Sequence, residues 1–102
     1  MDGVGEMVSR NIKQIKPEKI KKLSPWEKQP HESPPAFQAF VIYRDQGLGN
    51  RSTARVSEEL GKSLALIHRW SGRWQWVFRV ESYDEYLDQQ IRDRHLRELN
   101  EA

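Results

Sequence analysis

The chain contains no cysteine, which rules out disulfides, thiolate metal ligands and a cysteine nucleophile. It has no apolar stretch approaching the roughly 20 residues needed to cross a bilayer, and no apolar run of signal-peptide length at its N-terminus. No membrane association and an intracellular location are therefore expected. The histidines His31, His68 and His95 are far apart and lack ligand spacing, so a structural metal is not expected. A glycine-rich phosphate loop is missing too: Gly47-Leu-Gly-Asn is not followed by the Lys-Ser/Thr pair that a P-loop requires. ATPase activity is not expected, and no cofactor is implied.

What is present is charge, unevenly placed. The net charge of +2 over 102 residues conceals three regions. Residues 1–33 carry seven Lys/Arg against five Asp/Glu, residues 34–80 carry seven against three, and residues 81–102 carry three against seven. A basic middle masked by an acidic tail suits a nucleic-acid binder, because Lys and Arg that neutralise phosphates release condensed counterions. A chain this short has room for one small core, and four tryptophans supply material for it.

Residues 1–33 mix Gly, Pro, Lys and Glu with isolated apolar residues and read as a flexible basic arm. A short basic helix over Pro17 to Leu23 is one form part of it can take. Ser33 followed by Pro34 and Pro35 marks a helix start. This first helix is expected from about Pro35 to Gln46, with Phe37, Phe40, Val41 and Tyr43 at helical spacing and Gly47 ending it. Ser52 or Thr53 caps a second helix to Leu60, closed by Gly61. Ser63 caps a third through about Arg73, after a tight turn. Beyond Gly72, Trp74-Gln-Trp-Val opens a long fourth helix to the C-terminus, with Val80, Tyr83, Leu87, Ile91 and Leu99 as an apolar stripe. The expectation is an all-α protein: residues 34–80 as a helix-turn-helix DNA-binding domain, and residues 81–102 as a C-terminal helix that begins an oligomerisation region.

The stretch Thr53-Ala-Arg-Val-Ser-Glu-Glu-Leu-Gly-Lys-Ser-Leu-Ala-Leu-Ile-His-Arg-Trp70 resembles the helix-turn-helix pattern of repressors and recombinases. Val56 and Leu60 precede Gly61, and Ile67 and Trp70 follow it. Two short helices crossing steeply touch along one face each, so a few phased apolar residues suffice, and glycine permits the turn. Ser57 stands where the family usually has alanine, and it too is small. With Val56, Leu60, Ile67 and Trp70 inward, the third helix presents Ser63, Leu64, Ala65, His68 and Arg69 to a major groove. Arg69 suits guanine, His68 a base acceptor or phosphate, and Leu64 or Ala65 a thymine methyl. Arg51, Ser52, Arg55, Lys62 and Arg73 are placed for phosphates. The bland alternative is that these are surface residues of a small helical bundle.

From Trp26 onward the chain resembles a family of small phage proteins, the small terminase subunits and terminase-like helix-turn-helix proteins. The features that carry the resemblance are Trp26-Glu-Lys-Gln-Pro, Ala36-Phe-Gln-Ala-Phe-Val-Ile-Tyr-Arg-Asp, Leu60-Gly-Lys-Ser, Ile67-His-Arg-Trp-Ser, Trp74-Gln-Trp-Val and Tyr83-Asp-Glu-Tyr-Leu-Asp, over about residues 26–88. The resemblance implies a non-enzymatic packaging component in the host cytoplasm. Such a subunit recognises viral double-stranded DNA, forms a homo-oligomer and hands the DNA to the large terminase subunit, which holds the ATPase and nuclease. Small terminases usually continue further, so a chain whose last helix stops at Ala102 without a capping signal is expected to be a DNA-binding fragment.

Two further groups admit more than one reading. Trp70, Trp74 and Trp76 with Phe78 form either a stacking platform for single strands or, preferred here, core joining the third and fourth helices. Trp26 reads as a latch pinning the tail to the bundle. Asp84, Glu85 and Asp88 offer carboxylates for a metal but read as a solvated acidic face. Two rival functions stay open: a phage or mobile-element transcription regulator or recombinase accessory, and a protein-interaction adaptor that binds no DNA.

Overall fold

A computed structural model describes residues 23–101. Among these there are four α-helices and no strand: α1 (Pro34–Asp45), α2 (Thr53–Leu60), α3 (Leu64–Arg73) and α4 (Trp76–Glu101). The described fold is all-α. None of these helices is long and apolar enough to cross a membrane.

Serine side chains start the first three helices. Ser33, Ser52 and Ser63 each accept a hydrogen bond from the backbone amide three residues on, at 3.2, 3.2 and 3.1 Å, satisfying donors the helix itself leaves free. Gly61 ends α2 in the left-handed conformation, with φ of 65°, which side chains with a Cβ disfavour. The fourth helix begins two residues later than the Trp74 start expected from sequence. Trp74 closes α3, and Gln75, at φ of 51°, breaks the helical path before Trp76.

The core is one cluster contributed by all four helices: Ala39 and Phe40 of α1, Val56 of α2, Ile67 of α3, and Trp76 and Val80 of α4. Leu60 and Trp70 pack against it half-buried, so the four inward positions of the second and third helices do face the centre. Trp76 is its hub, with ring centroids 6.1 Å from Phe40 and 5.1 Å from Tyr43. Trp70 and Trp74 join it, whereas Phe78 is exposed.

Residues 24–33 correct the expected flexible arm over 1–33. They fold as a strap across α4 because Arg79 offers its whole guanidinium to them. Its Nη atoms donate to both oxygens of Glu32 at 2.9 and 3.0 Å. Nε donates to the Pro25 carbonyl at 2.6 Å, and the Nη atoms also reach the carbonyls of Glu27 and Trp74. The guanidinium lies 3.9 Å from the Phe40 ring centroid, and both charged side chains are almost wholly buried. Trp26 stacks on Tyr86 at 4.7 Å, as a latch should. Residues 1–22, with most of the basic helix proposed for Pro17 to Leu23, lie outside the described residues.

The expected division at residues 80 and 81 falls inside α4, whose first turns belong to the core and whose residues from Glu85 onward are all exposed where described.

Candidate nucleic-acid interface

Gly61, Lys62 and Ser63 separate α2 from α3. The amides of Gly61 and Lys62 donate to the carbonyls of Glu58 and Ser57, at 3.3 and 3.1 Å, and the Ser57 hydroxyl donates to the Lys62 carbonyl. Ser57 thus does more than stay small: its side chain ties the turn to α2. Replacing it with alanine is expected to lower stability by about 1 kcal/mol, read as a shift in the urea midpoint with an unchanged slope.

The loop before α2 is fixed just as firmly. The Gln46 side-chain amide both accepts from the Ser52 amide and donates to the Ser52 carbonyl. Arg51 donates to the α1 carbonyls of Tyr43 and Arg44 and forms a two-pronged pair with Asp84, at 2.7 and 2.8 Å. This hydrogen-bonded pairing with Asp84 raises the already high pKa of Arg51. Arg51 therefore corrects two expectations. Its side chain is only 8% exposed and is committed to joining α1 to α4, so it is not a phosphate contact. Asp84, in turn, is the partner of a cation rather than part of a solvated acidic face.

Most of the remaining candidate residues lie on the turn and on one face of α3. Lys62, Ser63, Leu64, Ala65, His68, Arg69 and Arg73 are all exposed on the turn and on α3, and Arg55 is exposed on α2. From Gly61 through Val80 there is no Asp or Glu, so α3 and its flanks carry cations only. Ser52 is half-buried; its oxygen caps α2, leaving the hydroxyl hydrogen to be donated. His68 Nε2 lies 3.1 Å from the Thr53 hydroxyl, which ties the first turn of α2 to the outer face of α3. Arg55 reaches toward the Asn50 carbonyl at 3.4 Å, and the Arg73 guanidinium lies 5.4 Å from the Trp74 ring centroid.

Thr53, Gln46 and Arg79 are supporting positions that sequence reasoning misses. Thr53 stands beside the cap, where a hydroxyl is locally visible, but its partner is 15 positions away. Among the described residues no group of three or more His, Asp or Glu side chains is arranged to hold a metal ion.

The exposed surface is thus a short cationic helix end, rigidly backed, with two small or apolar side chains between the charges. Comparison with known proteins finds no matching family model, no similar curated protein and no similar solved structure.

Proposed function

We propose that this chain binds double-stranded DNA by placing α3 in the major groove as the recognition helix of a helix-turn-helix, with the start of α2 and the turn on the flanking phosphates. The observation that carries this reading is the exposed face of Lys62, His68, Arg69 and Arg73, which meets no carboxylate anywhere from Gly61 through Val80. Arg69 is the base reader, Leu64 and Ala65 pack against thymine methyls, and Lys62, Arg55 and Arg73 take phosphates. His68 is half committed to Thr53, so its other ring nitrogen is the one left for DNA.

Within this reading the chain is a small terminase subunit, a non-enzymatic component that selects viral DNA in the host cytoplasm and hands it to the large terminase subunit. The packaging role is supported by the ordered motifs from Trp26 to Asp88, several of which hold the fold together. Trp26 latches the strap, Phe40 and Trp76 make the core, and Tyr83 and Tyr86 receive Trp26.

The test is a titration of labelled phage-end and unrelated duplexes at about 50 and 200 mM salt. Salt-sensitive binding, tighter on the phage end, is expected. Arg69→Ala should weaken binding to the preferred duplex by about 1–3 kcal/mol and reduce the preference itself. Failure to bind either duplex at the lower salt would overturn the reading, and equal affinity for both would overturn its packaging part.

Self-association belongs to the same proposal. On the exposed part of α4, Leu87, Ile91 and Leu99 are 40–59% exposed, an apolar stripe that a second copy would cover. Sedimentation equilibrium is expected to give a mass that rises with protein concentration, and Leu87→Asp with Ile91→Asp should return it to the monomer value. A strict monomer at high concentration contradicts this.

A further inference from the structure

We infer that Thr53 is a positioning residue for base reading: its hydroxyl donates to His68 Nε2 and fixes the ring with its proton on Nδ1, which then reads an acceptor on a base edge; this inference rests on the DNA-binding reading above. The two residues are 15 positions apart, on the first turn of α2 and the outer face of α3, with Thr53 Oγ1 3.1 Å from Nε2. Their approach is built into the fold, because Gly61 and the hydrogen bond from Ser57 to Lys62 hold the turn between the helices. Capping of α2 does not need the Thr53 hydroxyl, since Ser52 already accepts the Arg55 amide.

The direction of this hydrogen bond follows from its surroundings. In a neutral imidazole one ring nitrogen donates and the other accepts, and the hydrogen bonds they make set which is which. Among the described residues the Thr53 hydroxyl meets no acceptor besides Nε2, so Nε2 is the protein group that its proton satisfies. The Cα–Cβ bond of a helical residue tilts toward the N-terminus. The hydroxyl therefore stands at the end of α2 where free first-turn amides carry partial positive charge. A ring lone pair directed at that end is favoured over an N–H. The proton of the neutral ring is then on Nδ1; His68 is exposed, and no described residue accepts from that nitrogen.

A ring held in this state is selective. Its Nδ1–H pairs with guanine O6 or N7, adenine N7 or thymine O4, and not with the amino groups of cytosine or adenine. Arg69, the next residue, also offers donors only. With both in place α3 favours base edges rich in acceptors, guanine above all. Without Thr53 the ring is released to its other tautomer, whose free nitrogen accepts, and the preference read by His68 is lost. The competing destination of Nδ1–H is a phosphate oxygen, which adds affinity without preference.

The experiment uses the full chain and has two measurements, each variant being checked for unchanged melting. The first, without DNA, reads the His68 tautomer by nitrogen–proton correlation on isotope-labelled histidine, at about pH 8 where imidazole is neutral. His68→Gln identifies the signal by removing it. The unaltered chain and Thr53→Ser are expected to show the proton on Nδ1, and Thr53→Val to lose that preference. The second measurement enriches a random duplex pool on the unaltered chain, then titrates the enriched duplex and an unrelated one. Thr53→Val and His68→Gln should each weaken binding to the enriched duplex by about three- to tenfold, the effect of one hydrogen bond. On the unrelated duplex each should change affinity by less than about twofold. Thr53→Ser should keep the affinity of the unaltered chain. Thr53→Val added to His68→Gln should cost nothing further, since the two act through one contact. A proton on Nε2 in the unaltered chain overturns the inference without recourse to any Thr53 variant. Equal weakening on both duplexes, which puts His68 on phosphate, overturns it too, as does unchanged affinity in Thr53→Val. These results leave the α3 reading intact, provided Arg69→Ala is weakened. If the unaltered chain binds no duplex, the inference falls together with the reading on which it rests.

Discussion

Arg79→Met is expected to lower the folding stability by about 3–5 kcal/mol, the usual result of removing one member of a buried ion pair. The reason lies in what is left behind. Glu32 is fully buried, with its side chain 0% exposed, and among the described residues it accepts, besides Arg79, only the amide of Gln29, at 2.9 Å. Without the guanidinium its charge loses its cation, and the carbonyls of Pro25 and Glu27 each lose one of two side-chain donors, the Gln29 amide remaining. Small domains are stable by only about 5–15 kcal/mol, so the loss is a large fraction of the whole. It should lower the melting temperature by about 12 °C or more. The pair itself contributes less than that figure suggests, because both charges had to leave water. Glu32→Met combined with Arg79→Met should therefore recover a good part of the loss. If the double variant is as unstable as the two single losses added, the strap is held by something other than this pair.

Trp76 gives the second large effect. Trp76→Ala removes the hub between Phe40 and Tyr43 and is expected to cost about 3–5 kcal/mol. Trp76→Phe should cost much less, about 0–1.5 kcal/mol. The indole Nε1 is buried and has no hydrogen-bond partner among the described residues, so phenylalanine gives up ring volume but also removes a donor unpaired there. Chemical denaturation of the two variants decides between these expectations. If Phe proves as costly as Ala, the nitrogen rather than the ring carries the stability.

What could be read from sequence follows from how far apart cause and effect lie along the chain. Helix starts and stops are local events. A serine reaches an amide three residues on, and Gly61 turns the backbone at its own position, so the starts of α1, α2 and α3 are visible to within a residue. Inward positions are visible as well, since Val56 and Ile67 repeat a spacing set by helix geometry. The ion pairs are not. Arg79 and Glu32 are 47 positions apart, and Arg51 and Asp84 are 33 apart. Nothing near Arg51 marks it as a tie between α1 and α4 rather than a phosphate contact. Likewise the prolines and polar residues before Pro34 have the composition of a flexible tail, and only the arrival of Arg79 from α4 turns residues 24–33 into a strap. The cationic candidates on α3 differ because their exposure is the complement of the apolar phasing: once Ile67 faces in, Arg69 faces out.

The unbroken run of α4 has a mechanical consequence. Its 26 residues make a rod of about 39 Å at 1.5 Å per residue, clamped at one end by Trp76, Arg79, Val80 and the Arg51–Asp84 tie, and unsupported over its distal half. A rod held in this way is a pointer. A tilt of one degree at the clamp moves the tip by about 0.7 Å over that length, and a load applied near Leu99 is returned to the clamp as torque. The first part of the clamp to receive it is the Arg51–Asp84 tie, the outermost of these holds along α4.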